Sequence, residues 1–154
     1  MTDLTKGVTE LVLEARDLEA SERFYTEVLG LPVVLRWEGP AWKGREAVWV
    51  QSGDRTRIGL WKPFVGIAGA RPGAHVHFAM TVSEEDYDAA VARARTQGVS
   101  VDEVYFGDDP AEPGQRSAYV TDPDGHVVEL WTRDVATQVD AGPPHAVTPD
   151  VFGV

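Results

Sequence analysis

The stretch RSAYVTDPDGHVVELW, residues 116–131, contains two alternating runs joined by a tight turn. Asp-Pro and Asp-Gly are turn dipeptides, and the flanking segments Ser117–Thr121 and Val127–Trp131 read as strands. Within the second run, alternation puts Val127, Glu129 and Trp131 on one face and Val128 and Leu130 on the other. A carboxylate in so apolar a run calls for a partner, because burying an unpaired charge inside a sheet is costly.

Upstream of this hairpin the elements come in a repeating order. Val8–Leu13 is a short β-branched run and reads as a strand. Asp17 caps a helix marked by Leu18, Ala20, Phe24, Val28 and Leu29 at helical spacing, closed by Gly30 and Pro32. Strands are expected at Val33–Trp37, Glu46–Val50 and Arg57–Trp61, with turns at Gly39-Pro40 and Ser52-Gly53-Asp54. Residues 62–73 are rich in Gly and Pro and read as a linker. The order then recurs. A strand runs over His75–Val82, and Ser83 caps a helix with Asp86 three residues on. That helix carries Tyr87, Ala90, Val91 and Ala94 and ends at Gly98. A strand at Val101–Phe106, an acidic loop at 107–114 and the closing hairpin follow. Each half reads β-α-β-β-β.

The halves align as an internal repeat. Glu10 matches His77 at an offset of 67, Gly30 matches Gly98 at 68, and Gly59-Leu60-Trp61 matches Glu129-Leu130-Trp131 at 70. The drift reads as one duplicated unit with small loop insertions. The four related positions are then Glu10, Gly59, His77 and Glu129. Three carry metal-ligating side chains and the fourth has none. Taken singly, a strand Glu is ordinarily half-exposed or salt-bridged and a strand His an ordinary surface residue. Taken together at related sites, they make a set of one imidazole and two carboxylates that a divalent cation would neutralise. Oxygen-rich ligation favours Mn, Fe, Mg or Zn over copper.

Composition narrows the function classes. The chain has no cysteine and a net charge of −11, which excludes thiolate chemistry and disulfides and argues against nucleic acid as a partner. No apolar run approaches the ~20 residues of a membrane helix, and the N-terminus lacks a basic-then-apolar leader. The expected location is cytoplasmic. Trp37, Trp42, Trp49 and Trp61 crowd the first half, either as core or as the wall of a cup for a flat or apolar ligand. Tyr119 shares a face with Ser117 and Thr121 and offers a hydroxyl to a substrate. His75 shares a face with His77. His126, just after the turn glycine, reads as a surface turn residue, and His145 in the tail carries no evident chemistry.

The segments LEARDLEASERFYTEVLGLPVV (13–34), HVHFAMTV (75–82) and RSAYVTDPDGHVVELW resemble the vicinal oxygen chelate superfamily, the glyoxalase, bleomycin-resistance and extradiol-dioxygenase group. The likeness covers roughly residues 6–133. It implies an α+β fold of two βαβββ modules, 6–62 and 74–133, in a single domain over 1–135. The modules would form a cupped, barrel-like mixed sheet with helices outside, commonly in a homodimer, followed by a C-terminal tail over 136–154 in which Val151 and Phe152 are candidate anchors. It also implies one divalent metal (Mn, Fe, Zn, Ni or Mg) held by Glu10, His77 and Glu129, with Glu129 and Tyr119 as catalytic groups. Trp37, Trp49, Trp61, His75 and Arg116 are the candidate substrate contacts.

Two departures from the family pattern stand out. Many relatives have His where this chain has Glu10, and Gly59 falls where the glyoxalase I branch has a fourth ligand. The R-S-x-Y segment is similar to fosfomycin-resistance members, which hold a phosphonate with basic residues; Arg57, Lys62 and Arg116 are the candidates. The expectation is a metal-dependent enzyme acting on a small oxygen-chelating or electrophilic substrate, by lyase, dioxygenase or epoxide-opening chemistry. The alternatives are a metal-free bleomycin-type drug-binding protein and a module whose site has decayed.

Overall fold

In the computed structural model of the chain, the structure describes residues 7–63, 75–107 and 114–133. Most of the expected linker and of the acidic loop, the C-terminal tail with His145, Val151 and Phe152, and the first six residues lie outside them.

Strand β1 (Glu10–Glu14) starts two residues later than its apolar run suggested and extends through Glu14. Helix α1 (Leu18–Arg23) is capped by Asp17, whose side chain accepts from the Ala20 N–H, as the sequence indicated. It does not continue as an α-helix: Phe24–Val28 forms a π-helical turn that buries Phe24, Tyr25 and Val28. Strands β2 (Val33–Trp37), β3 (Ala47–Ser52) and β4 (Thr56–Trp61) follow, with a 3₁₀ turn at Pro40–Trp42 between β2 and β3. The second set is β5 (His77–Thr81), α2 (Glu84–Thr96), β6 (Asp102–Tyr105), β7 (Arg116–Thr121) and β8 (Val127–Trp131). Ser83 caps α2 by accepting from the Asp86 N–H.

The strands form two four-stranded mixed sheets with the same connectivity, β1-β4-β3-β2 and β5-β8-β7-β6. In each, the first strand pairs parallel to the fourth and the other pairings are antiparallel. The repeat extends to register. Val12 faces Gly59, which faces Trp49; Ala79 faces Glu129, which faces Tyr119. Leu35 faces Trp49 as Asp102 faces Tyr119. The first two strands of the modules therefore correspond at an offset of 67 and the last two at 70. This is the α+β, doubled βαβββ architecture expected from the sequence.

The chain divides into two compact units, and the turn Asp122–His126 belongs with the first while β7 and β8 belong to the second. In the first unit, Leu13, Val48, Val50, Ile58 and Leu60 are buried on the sheet face opposite Glu10, as are Phe24 and Val28. In the second, Ala118, Val120, Val128 and Leu130 are buried on the face opposite Glu129, as are Tyr87, Val91 and Ala94 of α2. Apolar area removed from water contributes roughly 25 cal/mol per Å², so these alternating runs fix which side of each sheet carries the polar residues.

Candidate functional site

Within the second unit the polar face centres on Glu129, which is only 7% exposed. Its Oε1 accepts from the hydroxyls of Ser117 and Tyr119, the latter at 3.0 Å. Both donors lie on β7, two residues apart and on the face that β8 turns to Glu129. Its Oε2 lies 3.1 Å from Nε2 of His77. The His77 side chain is about half exposed, at 54%, and its ring stands edge-on to Tyr119 with centroids 5.8 Å apart. Burial, the charge of Glu129 and the hydrogen bond to it all push the Tyr119 hydroxyl above its ordinary pKa, so at neutral pH it stays protonated and donates. One oxygen of the carboxylate is thus fully occupied by hydroxyls, and the other is turned to an accessible imidazole.

The first unit presents a different polar face. Glu10 is exposed at the start of β1, and its Oε1 accepts from Trp49 Nε1 at 2.7 Å. Trp37, Trp49 and Trp61 pack together, with centroids 4.8 to 5.5 Å apart. Trp42 stacks on Trp37 at 4.4 Å with planes 7° apart. Trp49 and Trp61 are core, at 3% and 8% exposed, whereas Trp37 is only partly buried. The two alternatives left open for the tryptophans therefore divide: two form core, and the Trp37–Trp42 stack offers aromatic surface. The Trp61 Nε1 donor has no hydrogen-bond partner among the described residues.

Other expected site residues sit elsewhere. Arg116 is on the face of β7 opposite Ser117 and Tyr119. Its guanidinium donates to Glu84 at 2.7 Å and Asp88 at 2.8 Å and lies 4.1 Å over the Tyr87 ring. It braces α2 and is not gathered with Tyr119 and Glu129. Lys62 is paired with Glu46 at 2.8 Å. His75 precedes β5 instead of sharing it, because pairing begins at His77. It lies against Gly125, where an added Cβ would come within 3.1 Å of the imidazole.

His126 corrects the sequence reading. It is 1% exposed. Its Nδ1 accepts from the Val76 N–H at 3.1 Å, which leaves Nε2 to donate to the Glu14 carbonyl at 3.0 Å. The turn aspartates are equally committed. Asp122 accepts from the Tyr25 hydroxyl and from the N–H groups of Asp124 and His126. Asp124 accepts from the Arg16 N–H and the Ser21 hydroxyl. The signal available in the sequence was the Asp-x-Asp spacing of the turn, whose side chains satisfy backbone donors. Nothing local indicated that these residues would be buried.

The donor chemistry suits a divalent cation. His77 Nε2 and Glu129 Oε2 converge from adjacent strands, and Ser117 and Tyr119 orient the carboxylate from behind as outer-shell donors do around metals. Among the described residues, neither unit by itself gathers three such side chains. The third residue of the expected set, the carboxylate Glu10, belongs to the first unit.

The sequence model of the Glyoxalase/Bleomycin resistance protein/Dioxygenase superfamily matches residues 7–130. The chain is 30% identical to "Glutathione transferase FosA" of Serratia marcescens over 90% of this chain and 89% of that protein. It is 25% identical to "Metallothiol transferase FosB" of Staphylococcus epidermidis over 84% of this chain and 85% of the relative. Among solved structures, a lactoylglutathione lyase from Agrobacterium tumefaciens superposes with a TM-score of 0.64 at 26% identity, covering 84% of this chain and 95% of that one. With its doubled sheet, its repeat register and this match over residues 7–130, the chain belongs to the glyoxalase/bleomycin resistance protein/dioxygenase superfamily.

Proposed function

We propose that the protein is a divalent-metal-dependent enzyme of this superfamily that acts on a small electrophilic or oxygen-chelating substrate. Glu10, His77 and Glu129 are the metal-holding side chains and Tyr119 the substrate-orienting hydroxyl. The observation that carries the reading is Glu129: a buried sheet carboxylate with one oxygen held by Ser117 and Tyr119 and the other facing an accessible imidazole. Its Oε1 is fixed by two hydroxyls, and its Oε2 contacts the half-exposed His77 imidazole at 3.1 Å, so the two candidate ligands meet on an accessible face of the sheet.

When bound, the cation supplies Lewis acidity at a substrate oxygen. The chain's own residues do the rest. Ser117 and Tyr119 fix the Glu129 rotamer, and the Tyr119 hydroxyl oxygen, whose proton is donated to Glu129, can accept a hydrogen bond from a substrate. The names of the relatives, a glutathione transferase and a metallothiol transferase, make thiol transfer to a small electrophile the first reaction to assay. A homodimer in the cytoplasm belongs to the same reading.

The test is metal content of untagged protein beside Glu129→Ala and His77→Ala. About one Mn, Fe, Zn, Ni or Mg ion per chain in the wild type, lost in both folded variants, supports the reading. The partly buried Trp37–Trp42 stack and the net charge of −11 favour a second reading, a metal-free protein that sequesters a cationic aromatic drug. Wild-type protein that takes up no metal on reconstitution, yet binds such a drug, would establish that reading instead.

A further inference from the structure

Trp49 and Tyr119 occupy the same place in the repeat, the third strand of each sheet opposite the position of Gly59 or Glu129. Each donates a hydrogen bond to a carboxylate that the proposed function assigns to the metal. Tyr119 reaches Glu129 on the neighbouring strand. Trp49 reaches Glu10, which lies one strand farther, across β4. Strands are spaced at about 4.8 Å, so the Trp49 and Glu10 side chains together bridge roughly 10 Å of sheet. They do so across Gly59. A Cβ on Gly59 would stand 3.0 Å from Trp49 Nε1 and 2.7 Å from Trp61 Nε1, closer than side chains pack. The glycine that sits where the other half has its ligand glutamate is therefore the floor over which the indole passes.

We propose that Trp49 is a positioning residue for Glu10, and that Gly59 is required because it leaves the path for the Trp49 indole. The inference rests on Glu10 being a metal-holding residue. An imidazole at that position would turn about two torsions only. A glutamate has three, and an exposed one at the start of a strand samples many rotamers. The indole is itself locked, at 3% exposed and between Trp37 and Trp61, so its N–H fixes one carboxylate oxygen and leaves the second directed outward. The chain thereby recovers, with an outer-shell donor, the orientation that a stiffer ligand would have had intrinsically.

The experiment measures Mn²⁺ affinity by calorimetry in Trp49→Phe, Gly59→Ala, Glu10→Ala and the double variant Glu10→Ala/Trp49→Phe. It also measures hydrogen exchange of the Trp49 indole proton by NMR. We expect Trp49→Phe to weaken Mn²⁺ binding by about 10-fold, the lower end for outer-shell partners. Gly59→Ala should do the same, and Trp49→Phe should have no further effect once Glu10 is alanine. In wild type the indole proton should exchange slowly, and in Glu10→Ala quickly. Wild-type affinity in Trp49→Phe, or an equal loss with and without Glu10, overturns the inference and leaves the metal reading intact. Unchanged indole exchange in Glu10→Ala overturns it as well. A wild type that binds none of Mn²⁺, Fe²⁺, Zn²⁺, Ni²⁺ and Mg²⁺ in the same titration overturns the metal reading, and the inference with it. If Trp49→Phe does not fold, the indole-exchange comparison of wild type with Glu10→Ala carries the test, because Gly59→Ala would displace Trp61 as well as Trp49.

Discussion

Glu129 is held by side chains whose separate worth can be measured. A hydrogen bond to a charged group contributes about 1.5–3 kcal/mol, and Oε1 receives two such bonds, from Ser117 and Tyr119. Tyr119→Phe should therefore weaken metal binding by roughly 10-fold and cost about 1.5–3 kcal/mol of stability, with the fold kept because the ring stays and Ser117 still holds the oxygen. Calorimetric titration with Mn²⁺ reads the first quantity and thermal melting the second; a loss of stability without a loss of affinity would make Tyr119 a packing residue. His126 gives the opposite expectation. Its ring is buried with both nitrogens engaged, so His126→Ala leaves a cavity and strips the Val76 N–H of its acceptor. The expected cost is about 2–4 kcal/mol in urea unfolding, with metal content unchanged. The two residues also mark what the sequence shows at this scale. Glu129 was legible because alternation isolates it in an apolar strand and the repeat assigns it a counterpart. His126 was not, because a histidine after a turn glycine looks the same whether it meets solvent or long-range backbone groups contributed by Glu14 and Val76, and no local pattern encodes those partners.

Among elements, the strands were read to within a residue or two, and β2 and β8 over their full lengths, because a period of two with one buried face leaves few alternatives. The connectors were read less completely. The π-helical turn Phe24–Val28 follows from burying Phe24, Tyr25 and Val28 together, which is a demand of packing and not of helical propensity. Arg116 was expected near the substrate by likeness of its segment; the alternation that puts Ser117 beside Glu129 necessarily turns Arg116 to α2, where Glu84 and Asp88 take its charge. The turn 122–126 is the element whose role was least visible. Asp124 holds the Arg16 N–H and the Ser21 hydroxyl, so it secures the entry to α1 from more than a hundred residues away along the chain. Asp124→Ala should cost about 1–3 kcal/mol for the two bonds. In native-state hydrogen exchange, protection should fall first at Ala20 and Ser21 in α1 and remain in α2. Uniform loss across both helices would mean the turn acts on global stability alone.

For the whole molecule, acid stability follows from carboxylates held below their ordinary range. The hydrogen bond and charge of Arg36 lower Glu22 against the opposing effect of burial. The ammonium of Lys62, with backbone donors, lowers Glu46 to about 2. A depressed carboxylate binds fewer protons in the folded state than in the unfolded state. It therefore adds stability above the unfolded value of about 4.5, and that contribution is lost as pH falls through the folded value. The window is pH 4.5 down to about 2 for Glu46, with Glu22 losing its share below pH 4.5. Both groups are partly open to water, at 25% and 27% side-chain exposure, so salt screening should shrink the effect. Urea midpoints measured across this range should fall steadily in wild type. The Glu22→Gln/Glu46→Gln variant should start lower at pH 7, fall less steeply, and converge with wild type near pH 2. Raising the salt concentration should bring the two curves together at neutral pH. Parallel curves, with the variant offset equally at every pH, would mean that the glutamines disturb packing and that neither carboxylate is coupled to folding through its charge.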